Sequence, residues 1–368
     1  MKPVKICFVS LYAYHLFNPA CKSQFGGAEI QLYYLATGLA RDPNFNISFV
    51  VGDFGQPDIE IRDGVRIYKC FNLAGGQRYV RAIRLIKLLM GIDADIYVRR
   101  AASPITGMLA LFGRFAHKKF VYMIAHDADV EKKPQYGKSW LWWAIFTAGL
   151  RCADLVVSQH QNQKEILKER YKKDSIVRRS AHLIPENIPV SDKEYILWVA
   201  RCEGWKQPEV FIEIAKHFPG TKFVMICAES TNKMYFKKIR TEALKLPDME
   251  FVEYVPFGEI DNYFLGARVF INTSAMEGFP NTLIQAAKNK ALILSLSVNP
   301  DDILDKYTMG ICAKGSFEKL KHDLEMVLRD KRLWQKLTDN AYGYAKENHD
   351  IMKIIEEDKK IFMNLVFG

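Results

Sequence analysis

Short apolar runs alternate along the whole chain with longer stretches whose apolar positions recur every three or four residues. The short runs suit strands buried on both faces, and the longer stretches suit helices that cover them. This alternation marks a parallel sheet in an α/β protein. Strands are expected at residues 5–10, 47–51, 65–68, 96–99, 120–125 and 155–158, and helices at about 28–41, 79–90, 104–115 and 139–151. Around residues 183–192 the text becomes LIPENIPVSD, whose prolines and polar residues mark a linker. The pattern then restarts. Strands are expected at 195–200, 223–228, 251–255, 269–272 and 291–296, and helices at 208–217, 281–289, 317–330, 333–348 and about 351–365. The reading is two α/β domains of similar size. Ligands in such domains bind at the carboxyl ends of the strands, and the cleft between two facing domains is the natural site.

Composition narrows this only a little. The 368 residues are 49% apolar and 26% charged, which excludes a disordered chain and leaves ample material for a core. No apolar run is long enough for a transmembrane helix, and the N-terminal apolar run is too short for a signal peptide. The seven cysteines stand singly with no CxxC pair, which points to reduced thiols and a cytosolic home. Charge changes the picture more. Residues 1–190 carry 27 Lys+Arg against 16 Asp+Glu, and residues 191–368 carry 25 against 26. The basic excess therefore belongs to the first half and implies a polyanionic partner there.

Four local patterns carry chemistry. In Ser274-Ala-Met-Glu277-Gly-Phe279-Pro280-Asn281-Thr282-Leu-Ile-Gln285, a strand ends, a turn holds an acid, and a helix opens near Asn281. Backbone N–H groups at that helix start suit an anion or hydroxyl, Glu277 can accept from sugar hydroxyls, and Gln285 lies one turn into the helix. In Arg201-Cys-Glu-Gly-Trp-Lys206, a planar fork and a point charge stand five residues apart between a strand and a helix, a pair suited to a diphosphate. Gly26-Gly27 opens the helix after the first strand, where glycine lets a phosphate approach the backbone. His126-Asp127 ends the strand expected at 120–125.

In order and spacing these patterns resemble glycosyltransferase family four, the retaining nucleotide-sugar transferases of GT-B fold. GGAEIQLYYLATGLARD looks like that family's glycine loop and helix, ARCEGWKQPE like its Arg-x4-Lys donor motif, and EGFPNTLIQA like its Glu-x7-Glu motif. GICAKGSFEKL and LVVSQHQNQKEIL are weaker echoes, so the resemblance covers nearly the whole chain. It implies two Rossmann-like domains facing each other across a cleft. Residues 1–188, with the final helix at about 351–368 packed back on them, would bind the acceptor, and residues 189–350 the nucleotide sugar. It implies that Gly27, beside Gly26, offers a backbone N–H to the donor phosphate and that Arg201 and Lys206 hold the diphosphate. It further implies that Glu277 and the backbone of residues 279–282 bind the donor sugar, that His126 contacts the transferred sugar, and that the loop after residues 251–255 touches the base.

Several positions depart from the family pattern. Gln285 replaces the second Glu, which accepts from the ribose; its amide carbonyl still accepts, without charge assistance. Residues 297–302 replace a Gly-rich stretch, Glu229-Ser-Thr replaces Gly-x-Gly, and Glu186-Asn187 replaces Asn-Gly. These leave the donor's identity open, with a UDP-sugar favoured over a GDP-sugar. Asp127-Ala-Asp129 has the DxD spacing on which other transferases hold a divalent metal. The Arg201/Lys206 pair makes a metal redundant, so neither metal nor cofactor is expected. No carboxylate is placed as a nucleophile, which favours same-face attack with the donor's own phosphate taking the acceptor proton. A related-fold epimerase, or a degenerate member acting as a partner, are the other readings.

The basic half also contains an amphipathic pattern. Arg78, Arg81, Arg84 and Lys87 fall on one half of a helical wheel with Leu85 and Leu88 among them, and Tyr79, Ala82, Ile83, Ile86, Leu89 and Met90 fall on the other. Apolar residues on a cationic face suit an anionic bilayer, and Trp140, Trp142 and Trp143 suit its headgroup level. With no nucleic-acid motif present, the expected partners are a nucleotide sugar, a glycan or lipid-linked acceptor and an anionic membrane. The expected location is the cytoplasm, peripheral on the inner face of its membrane.

Overall fold

The structure, a computed structural model, describes residues 2–21, 25–75, 77–130, 140–188, 193–230 and 232–368, with the Arg78 side chain also outside the description. It divides into two compact units, Met1–Ala181 with Ile351–Gly368, and His182–Asp350.

The first unit is built on an eight-stranded sheet: β1 (Val4–Val9), β2 (Phe45–Asp53), β3 (Ile59–Arg62), β4 (Val65–Asn72), β5 (Ile96–Arg100), β6 (Lys119–Met123), β7 (Leu155–Ser158) and β8 (Ile176–Val177). Their order is β3-β4-β2-β1-β5-β6-β7-β8, and only β3, antiparallel to β4, breaks the parallel pairing. Alternate residues of β1 feed two cores, because successive side chains of a strand face opposite ways. Val4, Ile6 and Phe8 pack with Leu32, Leu35 and Leu39 of the helix Gly27–Leu39. Cys7 and Val9 pack with the helices Arg78–Ile92, Pro104–Phe115 and Trp140–Cys152. The last two of these helices touch backbone to backbone: a Cβ at Gly107 would lie 2.2 Å from the Ile145 carbonyl oxygen, so only glycine fits there. The final helix, Ile351–Phe367, buries Ile351, Ile354, Ile355 and Phe362 in the first of these cores. Arg178 fixes it further, donating to Asp358 and to the Ile354 carbonyl, each at 2.6 Å.

The second unit has an all-parallel six-stranded sheet: β9 (Tyr195–Arg201), β10 (Phe223–Ala228), β11 (Met249–Val252), β12 (Ala267–Asn272), β13 (Leu292–Ser295) and β14 (Gly310–Cys312), in the order β11-β10-β9-β12-β13-β14. Helices again cover both faces. Trp198 of β9 packs against Phe211 and Phe223, and Leu197 packs on the other side with Phe270 and Leu283. The second unit begins earlier than the linker at 183–192 suggests, for a physical reason. His182 N–H donates to the His349 carbonyl at 2.8 Å, and Tyr342 Oη donates to the Pro185 carbonyl at 2.7 Å. The start of the linker is thus bound into the second unit, while its end, 189–192, lies outside the described residues.

Strands β3, β8 and β14 and the helices Gln161–Ile166 and Lys233–Ala243 are additions to the sequence reading. Strands of two to four residues leave too little alternation to be seen, and each is held by a neighbour instead.

Candidate functional site

In the second unit, β9 and β12 are neighbours, so the loops that follow them must meet. The contact is dense. Trp198 Nε1 donates to Thr273 Oγ1 at 2.8 Å, and Thr273 Oγ1 donates to the Lys206 carbonyl at 2.6 Å. Ala275 N–H donates to the Trp205 carbonyl at 2.9 Å. On this stitched base Lys206 Nζ forms an ion pair with Glu277 Oε1, which also accepts from Ser274 Oγ at 2.9 Å. Lys206 Nζ lies 4.2 Å from the centre of the Trp205 ring. Burial pushes the Lys206 ammonium below its ordinary range, and Glu277 pulls it back. Arg201, exposed at the end of β9, pushes the other way, since its charge disfavours that of Lys206. Two cations that repel each other and a carboxylate that accepts hydroxyls are thus gathered at one loop pair. An anion placed between the cations relieves their repulsion.

The turn after Glu277 leads to the helix Asn281–Lys288. Phe279 and Pro280 are buried, so what they present to a ligand is backbone. Asn281, Thr282 and Gln285 are half-buried, and Gln285 lies one turn into the helix. The segment that replaces a Gly-rich stretch folds as a tight turn without glycine. Asp301 and Asp302 take φ of 51° and 55°, a left-handed region that aspartate tolerates better than most residues. The Asn299 side chain closes it, accepting from Leu304 N–H at 3.0 Å and donating to Asp305 at 2.8 Å.

Gly26, Gly27 and His126 belong to the first unit. Gly26 caps the helix Gly27–Leu39, and its N–H is taken by Glu29 Oε2 at 2.9 Å. That N–H is therefore used by the protein itself. His126 does not end a strand: β6 stops at Met123, and His126 caps a 3-10 turn over Asp127–Asp129. Its Nδ1 accepts from Ala128 N–H at 3.1 Å, so the neutral ring carries its proton on Nε2.

Both acids of the DxD triplet are engaged internally. Asp129 Oδ2 accepts from Tyr122 Oη at 3.1 Å, Ala125 N–H at 3.0 Å and His126 N–H at 3.3 Å. Burial raises the Asp129 pKa, and these donors together with the nearby His126 act against the rise. Asp127 Oδ1 accepts from His160 Nε2 and Gln163 Nε2, both at 2.8 Å. Among the described residues no group of three or more His, Cys, Asp or Glu is placed to hold a metal ion. Sequence reasoning passed over Tyr122, His160 and Gln163, whose roles arise from neighbouring strand ends. It also passed over Arg99 and Arg100, which burial depresses to about 10 while Glu29 acts against the fall.

The membrane-facing pattern needs correction. Leu85, placed on the basic half of the wheel, is buried, and Leu88 packs against the same core. Tyr79, Ile83 and Met90, placed on the apolar half, are exposed. Arg81 is drawn back, donating Nε to the Gly75 carbonyl at 2.8 Å and lying over Phe71. Arg84 and Lys87 remain exposed, and the Arg78 side chain lies outside the described residues. Of the three tryptophans only Trp140 is exposed; Trp142 and Trp143 stack on each other and pack against Phe146. No helix among the described residues is long and apolar enough to cross a membrane.

Residues 25–186 match the family model described as Glycosyltransferase Family 4, and residues 181–344 the one described as Glycosyl transferases group 1. Taken together, the two matches make the chain a glycosyltransferase of family-four type. A glycosyltransferase of Methanocaldococcus jannaschii, itself named as uncharacterized, is 22% identical over 93% of this chain and 95% of its own. Among solved structures, sucrose-phosphate synthase from Thermosynechococcus elongatus is similar with a TM-score of 0.80 at 15% identity, covering 98% of this chain and 99% of that one. Anabaena HepE, solved in complex with UDP, has a TM-score of 0.73 at 14% identity, covering 98% and 100%. The pneumococcal O-GlcNAc transferase GtfA, solved with UDP and GlcNAc, has a TM-score of 0.72 at 10% identity, covering the full length of both chains. The fold of this chain is GT-B.

Proposed function

We propose that this glycosyltransferase moves a sugar from a UDP-sugar to a glycan or lipid-linked acceptor, with retention of configuration and without a metal. The observation that carries the reading is the Lys206–Glu277 pair beside Arg201, at the joined loops of β9 and β12. Support for the nucleotide comes from the UDP held by Anabaena HepE and by pneumococcal GtfA.

In this reading Arg201 and Lys206 hold the diphosphate and offset the charge that grows on it as the bond from the sugar's anomeric carbon breaks. Lys206 exchanges Glu277 for phosphate oxygens, and Glu277 turns to the sugar hydroxyls. Gly27 and the backbone N–H groups of Phe279, Asn281 and Thr282 add donors, Gln285 accepts from the ribose through its amide carbonyl, and His126 donates from Nε2 to the transferred sugar. The acceptor hydroxyl attacks the anomeric carbon on the face the diphosphate leaves, and its proton passes to a departing phosphate oxygen. The products are the new glycoside and UDP. With both DxD acids held by the protein's own donors, the two cations take the part a metal plays elsewhere. The comparisons favour neither an epimerase nor a non-catalytic partner. Calorimetric titration with UDP and GDP in the presence of a chelator tests the donor assignment. UDP binds in the proposed account, and chelation leaves its affinity unchanged; binding that needs added metal contradicts it.

The proposal extends to a peripheral position on an anionic cytoplasmic membrane. Arg84 and Lys87 with exposed Tyr79, Ile83 and Trp140 supply the contact, on helices that cover one face of the first sheet. Binding to vesicles is expected to rise with the fraction of phosphatidylglycerol and to fall with salt, since exposed charges are screened within about 8–10 Å at physiological ionic strength. Arg84→Glu with Lys87→Glu releases the protein in this account and spares UDP binding. Equal binding to neutral and anionic vesicles refutes it.

A further inference from the structure

Two histidines outside the residues assigned above sit where the chain changes unit. It passes into the second unit between Ala181 and His182 and leaves it between Asp350 and Ile351. His182 and His349, one beside each crossing, are only 3% and 0% exposed. Their backbones are hydrogen-bonded, His182 pairs with Asp350 as an isolated parallel bridge, and the two rings lie 6.1 Å apart.

From this pair, contacts run directly to the proposed donor loop. The His349 ring lies 5.1 Å from that of Phe279 and 5.5 Å from that of Tyr344. The Asn281 side chain is a hydrogen-bond partner of the His182 ring. At the far end of the same helix Lys288, itself buried, donates to the Leu183 carbonyl at 3.2 Å and pairs with Asp261 at 2.6 Å. The crossing segment is thus fastened to the helix Asn281–Lys288 at both its first and its last residue. Two imidazoles are costly fillers for a core, because burial of polar rings must be compensated by bonds that aliphatic side chains do not need. The bond found for the His182 ring ends on Asn281 of the donor loop, and the His349 ring packs on Phe279 of the same loop.

We propose that His182 and His349 are positioning residues for that loop, whose rings fix Phe279 and Asn281 so that the backbone of residues 279–282 is aimed at the donor. The inference rests on the reading of this loop as the donor site. The charged and titratable groups around His182 agree with a neutral ring. Burial, His349 and Lys288 all push it well below the ordinary histidine range, and only the Asn281 bond opposes them. Asp261, already paired with Lys288, Asp350 on the bridge and Tyr344 against His349 also stand beside the pair. A proton added here would place a second positive charge near Lys288.

The test is amide hydrogen exchange on the ligand-free full chain, read at residues 278–283, together with UDP titration. His182→Leu and His349→Leu are expected to speed exchange in that segment at least tenfold and to weaken UDP binding about tenfold. His182→Gln, which keeps a hydrogen-bonding amide, restores most of both. Unchanged protection at 278–283 in the folded leucine variants overturns the proposal. Should these variants fail to fold, the wild-type protein gives the answer: histidine NMR reports when the rings take up protons on acidification, and protection at 278–283 is lost at that step. Protection that persists with charged rings also overturns it. If UDP fails to bind the wild type while the segment responds to the variants, the donor reading fails and the positioning role stands. If UDP binds and the segment ignores the variants, the reverse holds.

Discussion

Lys206→Met is expected to lower donor turnover by roughly 10²–10³-fold, the scale for loss of one charge-stabilising group. The same change leaves the Glu277 carboxylate, only 10% exposed, without its cation. Breaking a buried pair from one side costs about 3 kcal/mol or more, because the remaining charge stays desolvated. A lower melting temperature in the single variant would therefore confuse the two effects. Lys206→Met combined with Glu277→Gln separates them. The double variant regains much of the stability, since an amide accepts from Ser274 at smaller desolvation cost, and it stays inactive. A double variant that recovers turnover along with stability would mean that Lys206 serves the fold alone.

His126→Ala is expected to cut turnover by about 10²-fold with a smaller effect on UDP affinity, because its proposed partner is the sugar rather than the nucleotide. The chain of support explains why the residue is well placed. Asp129 holds the backbone of Ala125 and His126, Tyr122 holds Asp129, and Ala128 N–H fixes the ring. His126→Gln, which keeps a donor, recovers part of the loss. Equal losses in turnover and UDP affinity would move His126 from the sugar to the nucleotide.

The motifs around Lys206 and Glu277 were legible because they are local: a strand, a polar turn and a helix start can be read in a dozen residues. That Lys206 meets Glu277, with Thr273 and Trp198 beneath, depends on β9 and β12 being neighbours, and sheet order is not written in any local pattern. The helix Arg78–Ile92 shows the opposite limit. Its wheel carries apolar residues on both halves, so periodicity left the buried face open, and packing against the sheet chose Leu85 and Leu89. His182 and His349 are far apart in sequence and meet only because the chain returns. Asp301 and Asp302 show that a missing glycine need not mean a missing turn.

The central claim is retaining, metal-independent transfer from a nucleotide sugar, and time-resolved proton NMR of the protein with a panel of nucleotide sugars and a chelator tests it most directly. The account predicts slow hydrolysis of a UDP-sugar, with the free sugar first appearing in the donor's own anomeric configuration. Inverted sugar, donors interconverted without release of nucleotide, hydrolysis only after metal is restored, or silence across the whole panel would contradict it.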